Sequence, residues 1–139
     1  MTAHELESIW VLIHPPLAIL GYLFTFIALT KAVQLNRKIY SGDRAMEKDL
    51  RLSLVIAWWL TFLGLISGML WAQMAWGSFW SWDPKETATL SVFLVLTAAA
   101  ILNQLKCPIP IQTAVLILDT LLVLFTFSIS FLDLGLHSF

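Results

Sequence analysis

The chain has 139 residues, of which 59% are hydrophobic and 12% charged, well beyond the apolar share of roughly 45–50% usual for soluble domains. A net charge of −1 gives no global attraction to nucleic acid, and a single cysteine, Cys107, excludes an intrachain disulfide framework or a CxxC site within the chain. Composition therefore predicts a membrane protein, with the lipid bilayer as its main solvent.

The N-terminal MTAHELES carries Glu5 and Glu7 but no Lys or Arg, so it lacks the basic n-region of a signal peptide. The first apolar segment is expected to remain in the mature protein. A bilayer core takes about 20 mostly apolar helical residues, and four such runs follow: Ile9 to Leu35, Leu52 to Met74, Thr87 to Leu105 and Ile111 to Leu132. In the first run, Pro15 and Pro16 suit the opening turn of a helix, where the amides have no partner to lose. A regular helix from Pro15 to Gln34 then spans about 30 Å, which places His14 at the membrane boundary. Between the first two runs lies NRKIYSGDRAMEKDLR. With Lys31, the stretch through Arg51 holds six of the eight basic residues. The positive-inside rule puts this connection in the cytoplasm.

Threading from there places both termini and the Trp76–Glu86 loop outside, and the LKCPIP turn with Lys106 inside. The expected fold is all-α: a polytopic membrane protein, a four-helix transmembrane bundle with N- and C-termini outside, in one domain over residues 1–139 and with antiparallel sequence neighbours. Gly64 and Gly68 in the second run form a small-xxx-small pair that suits close helix approach. Cys107, beside Pro108 in the inner turn, reads as incidental.

The outer face collects the chemistry. His14 and His137 share it although more than a hundred positions separate them, and His4 lies on the N-terminal stretch beyond. The loop WGSFWSWDPKET, Trp76 to Thr87, crowds aromatic rings next to charges. Indoles gather at membrane interfaces because the ring is apolar and the N–H polar. That belt explanation accounts for Trp10, Trp58 and Trp59. It accounts less well for Trp71, Trp76, Phe79, Trp80 and Trp82 at one crossing, where the small Gly77 and Ser78 between large rings suggest a platform for a flat ligand. Asp83 or Glu86 suits the first turn of the third helix as a cap, with Pro84 beside it. Lys85 is a cation at the wrong end of a helix dipole, and so a partner for an anionic group. A flat apolar ligand with acidic edges and two imidazoles is haem. Against this stands the ordinary alternative that both histidines are hydrogen-bonded interface residues. Asp119, in the fourth run, suggests a proton relay or polar pathway; the alternative is a protonated side chain bonded to Thr25, Thr30 or Thr61.

WGSFWSWDPKET resembles the tryptophan-rich WWD signature, of the form WGxxWxWD, of the haem-handling proteins of cytochrome c biogenesis, the CcmC, CcmF and CcsA (ResC) relatives. The WDPKET continuation is most similar to CcsA. IHPPLAILGY, Ile13 to Tyr22, resembles the segment that precedes the signature in CcmF, and GLHS, Gly135 to Ser138, the one that follows it in CcsA. The three pieces occur in family order along nearly the whole chain. The resemblance implies haem b held as cargo at the external face, with His14 and His137 as axial ligands of the iron and Trp76, Gly77, Trp80, Trp82 and Asp83 as its platform. It implies delivery to an apocytochrome c carrying a CxxCH motif, a place in the cytoplasmic membrane and, as one reading, a role as a component of a cytochrome c haem lyase. Members of the family are longer, and several have a further histidine pair within the membrane. This chain therefore resembles a minimal four-helix core that works with a CcsB (ResB)-like subunit or the remaining CcmF- or CcsA-like helices. Two rivals come from other classes: a membrane cytochrome b-type electron-transfer subunit, whose ligands normally lie inside the bilayer, and an assembly subunit without haem.

Overall fold

A computed structural model describes residues 9–37 and 42–131. They form four helices: α1 (Ile9–Asn36), α2 (Arg44–Trp76), α3 (Pro84–Gln104) and α4 (Ile109–Phe131). Each is long and apolar enough to cross a bilayer, and no strand occurs among the described residues. The chain is an all-α integral membrane protein of the polytopic type. Large apolar side chains such as Leu23, Leu52, Leu63, Leu94, Leu121 and Phe125 are exposed, which in water would drive aggregation and in a bilayer meets lipid tails.

Two helix boundaries differ from the sequence expectation. Helix α1 does not begin at Pro15; both prolines lie inside it. They remove the amide donors that the carbonyls of Val11 and Leu12 would normally use, and the helix continues through them. His14 is consequently a residue of the helix wall, not of its start. Helix α2 begins at Arg44, so most of the charged segment read as a connection is helical. Asp43 caps it, its carboxylate accepting from the amides of Ala45 at 2.9 Å and Met46 at 3.2 Å.

Lipid tails are as apolar as leucine, so helices in a bilayer associate by close packing and internal hydrogen bonds. Small residues do this here. Ala28 and Ala32 of α1, Ala57 of α2 and Ala99 of α3 are fully or almost fully buried and, with Leu35, Leu50, Leu54, Leu96 and Leu116, make one apolar cluster. A smaller cluster joins Tyr22, Val92 and Val123. Most buried hydroxyls are satisfied within their own helix, as where Thr25 donates to Gly21 and Thr126 to Leu122.

The two ends of the bundle differ. At one end, the Lys31–Asp49 ion pair (3.6 Å) ties α1 to α2, and Asn36 Nδ2 donates to Thr113 Oγ1, tying α1 to α4. There, too, Asn103 donates to Gln112, whose amide in turn donates to the Cys107 carbonyl at 2.6 Å. The Cys107 backbone thus serves the turn between α3 and α4. The other end carries His14 and the tryptophan loop. Trp58 is not a belt anchor: half-buried, it stacks on Phe62 and donates from its indole to Thr97 Oγ1 at 2.9 Å, joining α2 to α3. Trp59 beside it is exposed.

Candidate functional site

His14 turns its ring from α1 onto α2. Its Nδ1 lies 2.8 Å from the carbonyl oxygen of Gly64. A carbonyl only accepts, so Nδ1 carries a proton, and in the neutral ring the lone pair is then on Nε2, the state suited to metal ligation. The ring stacks on Trp71 with centroids 6.0 Å apart and planes 23° from parallel. It also covers Gly68 closely: a Cβ there would sit 2.8 Å from the imidazole Cε1. The glycine pair therefore has two jobs. Gly64 admits the α1 backbone, with Ala18 N at 3.2 Å from a hypothetical Cβ, and Gly68 admits the histidine ring.

The loop between α2 and α3 is built by its own polar atoms. Gly77 ends α2 in the left-handed conformation (φ 78°), and its N–H bonds the Gln73 carbonyl at 3.0 Å. Ser78 Oγ donates to the Trp80 carbonyl at 2.8 Å. Asp83 is the cap of α3: its carboxylate accepts from the Lys85 amide at 2.9 Å, with Pro84 in the first turn. Glu86 has a different task. One carboxylate oxygen accepts from both the Ser81 amide, at 2.8 Å, and the Ser81 hydroxyl, at 3.1 Å, fastening the loop to α3. The other oxygen is buried without a hydrogen-bond partner among the described residues, as is the Trp80 indole nitrogen.

An open cavity of about 230 Å³ lies between these parts. Its wall includes His14, Tyr22, Trp71, Trp80, Lys85 and Glu86, with Phe79 and Thr89 also contributing. Of the residues expected at the site, the structure brings His14, Trp80 and Lys85 to one cavity. Trp76, Gly77, Trp82 and Asp83 do not line it. Trp76 packs edge-on against Trp71 at 5.5 Å and 65°, and Trp82 edge-on against Trp80 at 5.7 Å and 87°, so the indoles buttress one another and do not form a flat sheet. Trp82 is 71% exposed and has positive φ (58°). His137 and His4 lie outside the described residues. Sequence reasoning missed Tyr22, Thr89 and the second role of Glu86. Thr89 lies two positions beyond the signature and Tyr22 on another helix, and only packing brings them to one cavity.

The family model described as cytochrome c assembly protein matches residues 1–137. The chain belongs to this family. Among relatives of this cytochrome c assembly chain, the cytochrome c-type biogenesis protein CycK of Bradyrhizobium diazoefficiens is 32% identical over 134 residues, covering 91% of this chain and 19% of the relative. The cytochrome c-type biogenesis protein NrfE of Haemophilus influenzae is 31% identical over 93 residues, 65% of this chain and 14% of the relative. The cytochrome c biogenesis protein CcsA of Solanum lycopersicum is 29% identical over 178 residues, 96% of this chain and 56% of the relative. The chain thus spans a minor part to about half of the length of these curated relatives.

Proposed function

We propose that this chain acts in cytochrome c maturation, binding haem b as cargo at the cavity and presenting it for covalent attachment to an apocytochrome c with a CxxCH motif. The observation that carries this reading is the His14–Gly64 hydrogen bond, which keeps the imidazole in the tautomer that ligates iron through Nε2. The residues present suit the group. Trp71, Phe79 and Trp80 give an aromatic wall, and the Lys85 ammonium and Trp80 N–H are donors of the kind a propionate accepts. His137 follows Phe131 by six positions in the sequence, and α4 brings Thr126 and Phe127 to the same cavity; His137 is proposed as the second axial ligand. Trp76, Gly77, Trp82 and Asp83 hold the loop that carries the wall.

When bound, haem supplies the iron and the vinyl groups; the work of this chain is positioning. Fixing a substrate edge beside the acceptor's thiols raises their effective concentration without a protein nucleophile. The charge asymmetry of the connections supports a cavity at the external face, in this reading that of the cytoplasmic membrane, with residues 1–139 acting as one transmembrane domain. The proposed partners are membrane subunits of the cytochrome c biogenesis machinery, CcsB/ResB-like or equivalent to the remaining CcsA- or CcmF-like helices. The test is haem content and absorption spectra of purified His14→Ala and His137→Ala variants. Both are expected to lose haem relative to the unmodified protein. Unchanged content and spectra in both would remove the assignment.

A further inference from the structure

Asp119 lies near the middle of α4, ten residues after Ile109, about 15 Å along the helix. It is 0% exposed, and neither carboxylate oxygen has a hydrogen-bond partner among the described residues. Of the partners expected from sequence, Thr25 donates to Gly21, Thr30 donates to Ile27 on an exposed face, and the Thr61 hydroxyl has no hydrogen-bond partner among the described residues. Its complete burial keeps it from pairing with a subunit outside the bundle.

The register shows what Asp119 separates. One helical turn toward the basic end, Leu116 belongs to the large apolar cluster; one turn toward the cavity end, Val123 belongs to the small one. On α1, Thr25 stands between Tyr22 of the small cluster and Ala28 of the large one. On α2, Thr61 follows Ala57 of the large cluster and packs at Gly21. Asp119, Thr25 and Thr61 thus form a buried polar layer between two apolar seals of unequal thickness. The seal on the basic side has nine buried residues from all four helices. The seal on the cavity side has three, and one of them, Tyr22, also lines the cavity. Tyr22 packs in the small cluster with Val123, one turn from Asp119, and Thr89 lines the cavity as well.

An ionised carboxylate without donors in such a place is very costly, whereas a protonated one is neutral. No described residue group supplies the three or more His, Cys, Asp or Glu side chains that a multivalent metal would use. We propose that Asp119 is a membrane-embedded proton-binding site that loads and unloads through Tyr22 and Thr89 from the cavity end of the bundle, and not from the basic end. On α1, Tyr22 is the ionisable group of the small cluster next to it. Between Leu52 and Trp76 on α2, and between Thr87 and Gln104 on α3, the sequence has no ionisable side chain of the acidic or basic kind. Transfer needs no redox partner: since no described hydroxyl bonds the carboxyl directly, a water admitted from the cavity takes its proton and passes one of its own to the Tyr22 hydroxyl, each oxygen accepting one proton as it releases another.

The test is infrared spectroscopy of the full chain in lipid nanodiscs. A carboxylic C=O band is expected that Asp119→Asn removes. On transfer into heavy water this band shifts as its proton exchanges, and Tyr22→Phe is expected to slow that exchange about tenfold, the scale of one lost hydrogen bond. Thr89→Val, which keeps the shape of the side chain, is expected to slow it too and serves if Tyr22→Phe does not fold. The proposal is overturned if no band depends on Asp119, or if exchange in the folded variants matches the unmodified protein. It is also overturned if replacing choline chloride by sodium chloride at constant pH abolishes the band, since the site would then hold sodium.

Discussion

His14 donates through Nδ1 to the main-chain oxygen of Gly64, fifty positions further along the chain, while its ring lies over Gly68 one turn beyond. The imidazole is oriented by the α2 backbone and by the Trp71 ring on the same helix. Gly68→Ala should therefore act on the site without touching its chemistry. The new methyl would lie 2.8 Å from Cε1, and overpacking of this kind costs about 1–3 kcal/mol. Haem content after purification is expected to fall toward that of His14→Ala, while circular dichroism retains the helical signal.

Gly21 gives a second close approach, this time between backbones. A Cβ at Gly21 would meet Thr61 Oγ1 at 2.6 Å and Thr61 N at 3.0 Å. The hydroxyl can be deleted but the amide cannot move without shifting α2. Gly21→Ala is expected to destabilise the bundle by about 1–3 kcal/mol, and adding Thr61→Ala should restore only part of the loss. Thermal unfolding in detergent measures both.

Glu86 fastens the tryptophan loop through two hydrogen bonds to Ser81. Removing the shared acceptor of these two part-buried hydrogen bonds costs about 1–3 kcal/mol. Glu86→Ala is expected to loosen the loop, seen as greater acrylamide quenching of tryptophan fluorescence. Glu86→Gln keeps one acceptor oxygen and should fall between that variant and the unmodified protein.

Trp82 separates stability from recognition. It holds a left-handed backbone conformation that disfavours a side chain by roughly 1–2 kcal/mol, and most of its indole is exposed. Trp82→Gly relieves the strain and sacrifices little burial. The unfolding temperature is expected to stay level or rise, while haem content falls because Trp80 loses its edge-on support.

The four spans were legible because apolar runs of membrane length leave few alternatives. The start of α1 was not, because two prolines fit a first helical turn and a helix interior held by tertiary packing equally well in sequence. The early start of α2 had a signal in Asp43, a good cap, but the charges after it resembled a connection. At the site, the aromatic and charged loop announced itself through composition. The acceptor for His14 did not, since nothing local connects residue 14 to residue 64. Nor did the buried carboxylate bond of Glu86, whose position in a first helical turn already suggested a simpler task.

The prolines of α1 leave one more mark. Val11 lines the cavity, and with Pro15 four places on, its carbonyl has lost the usual helical donor. An oxygen in that condition prefers water or a guest's donor to hydrocarbon. The vestibule, already lined by His14, Lys85 and Glu86, thus gains one more polar contact, a feature that favours a lodger who leaves over one who stays.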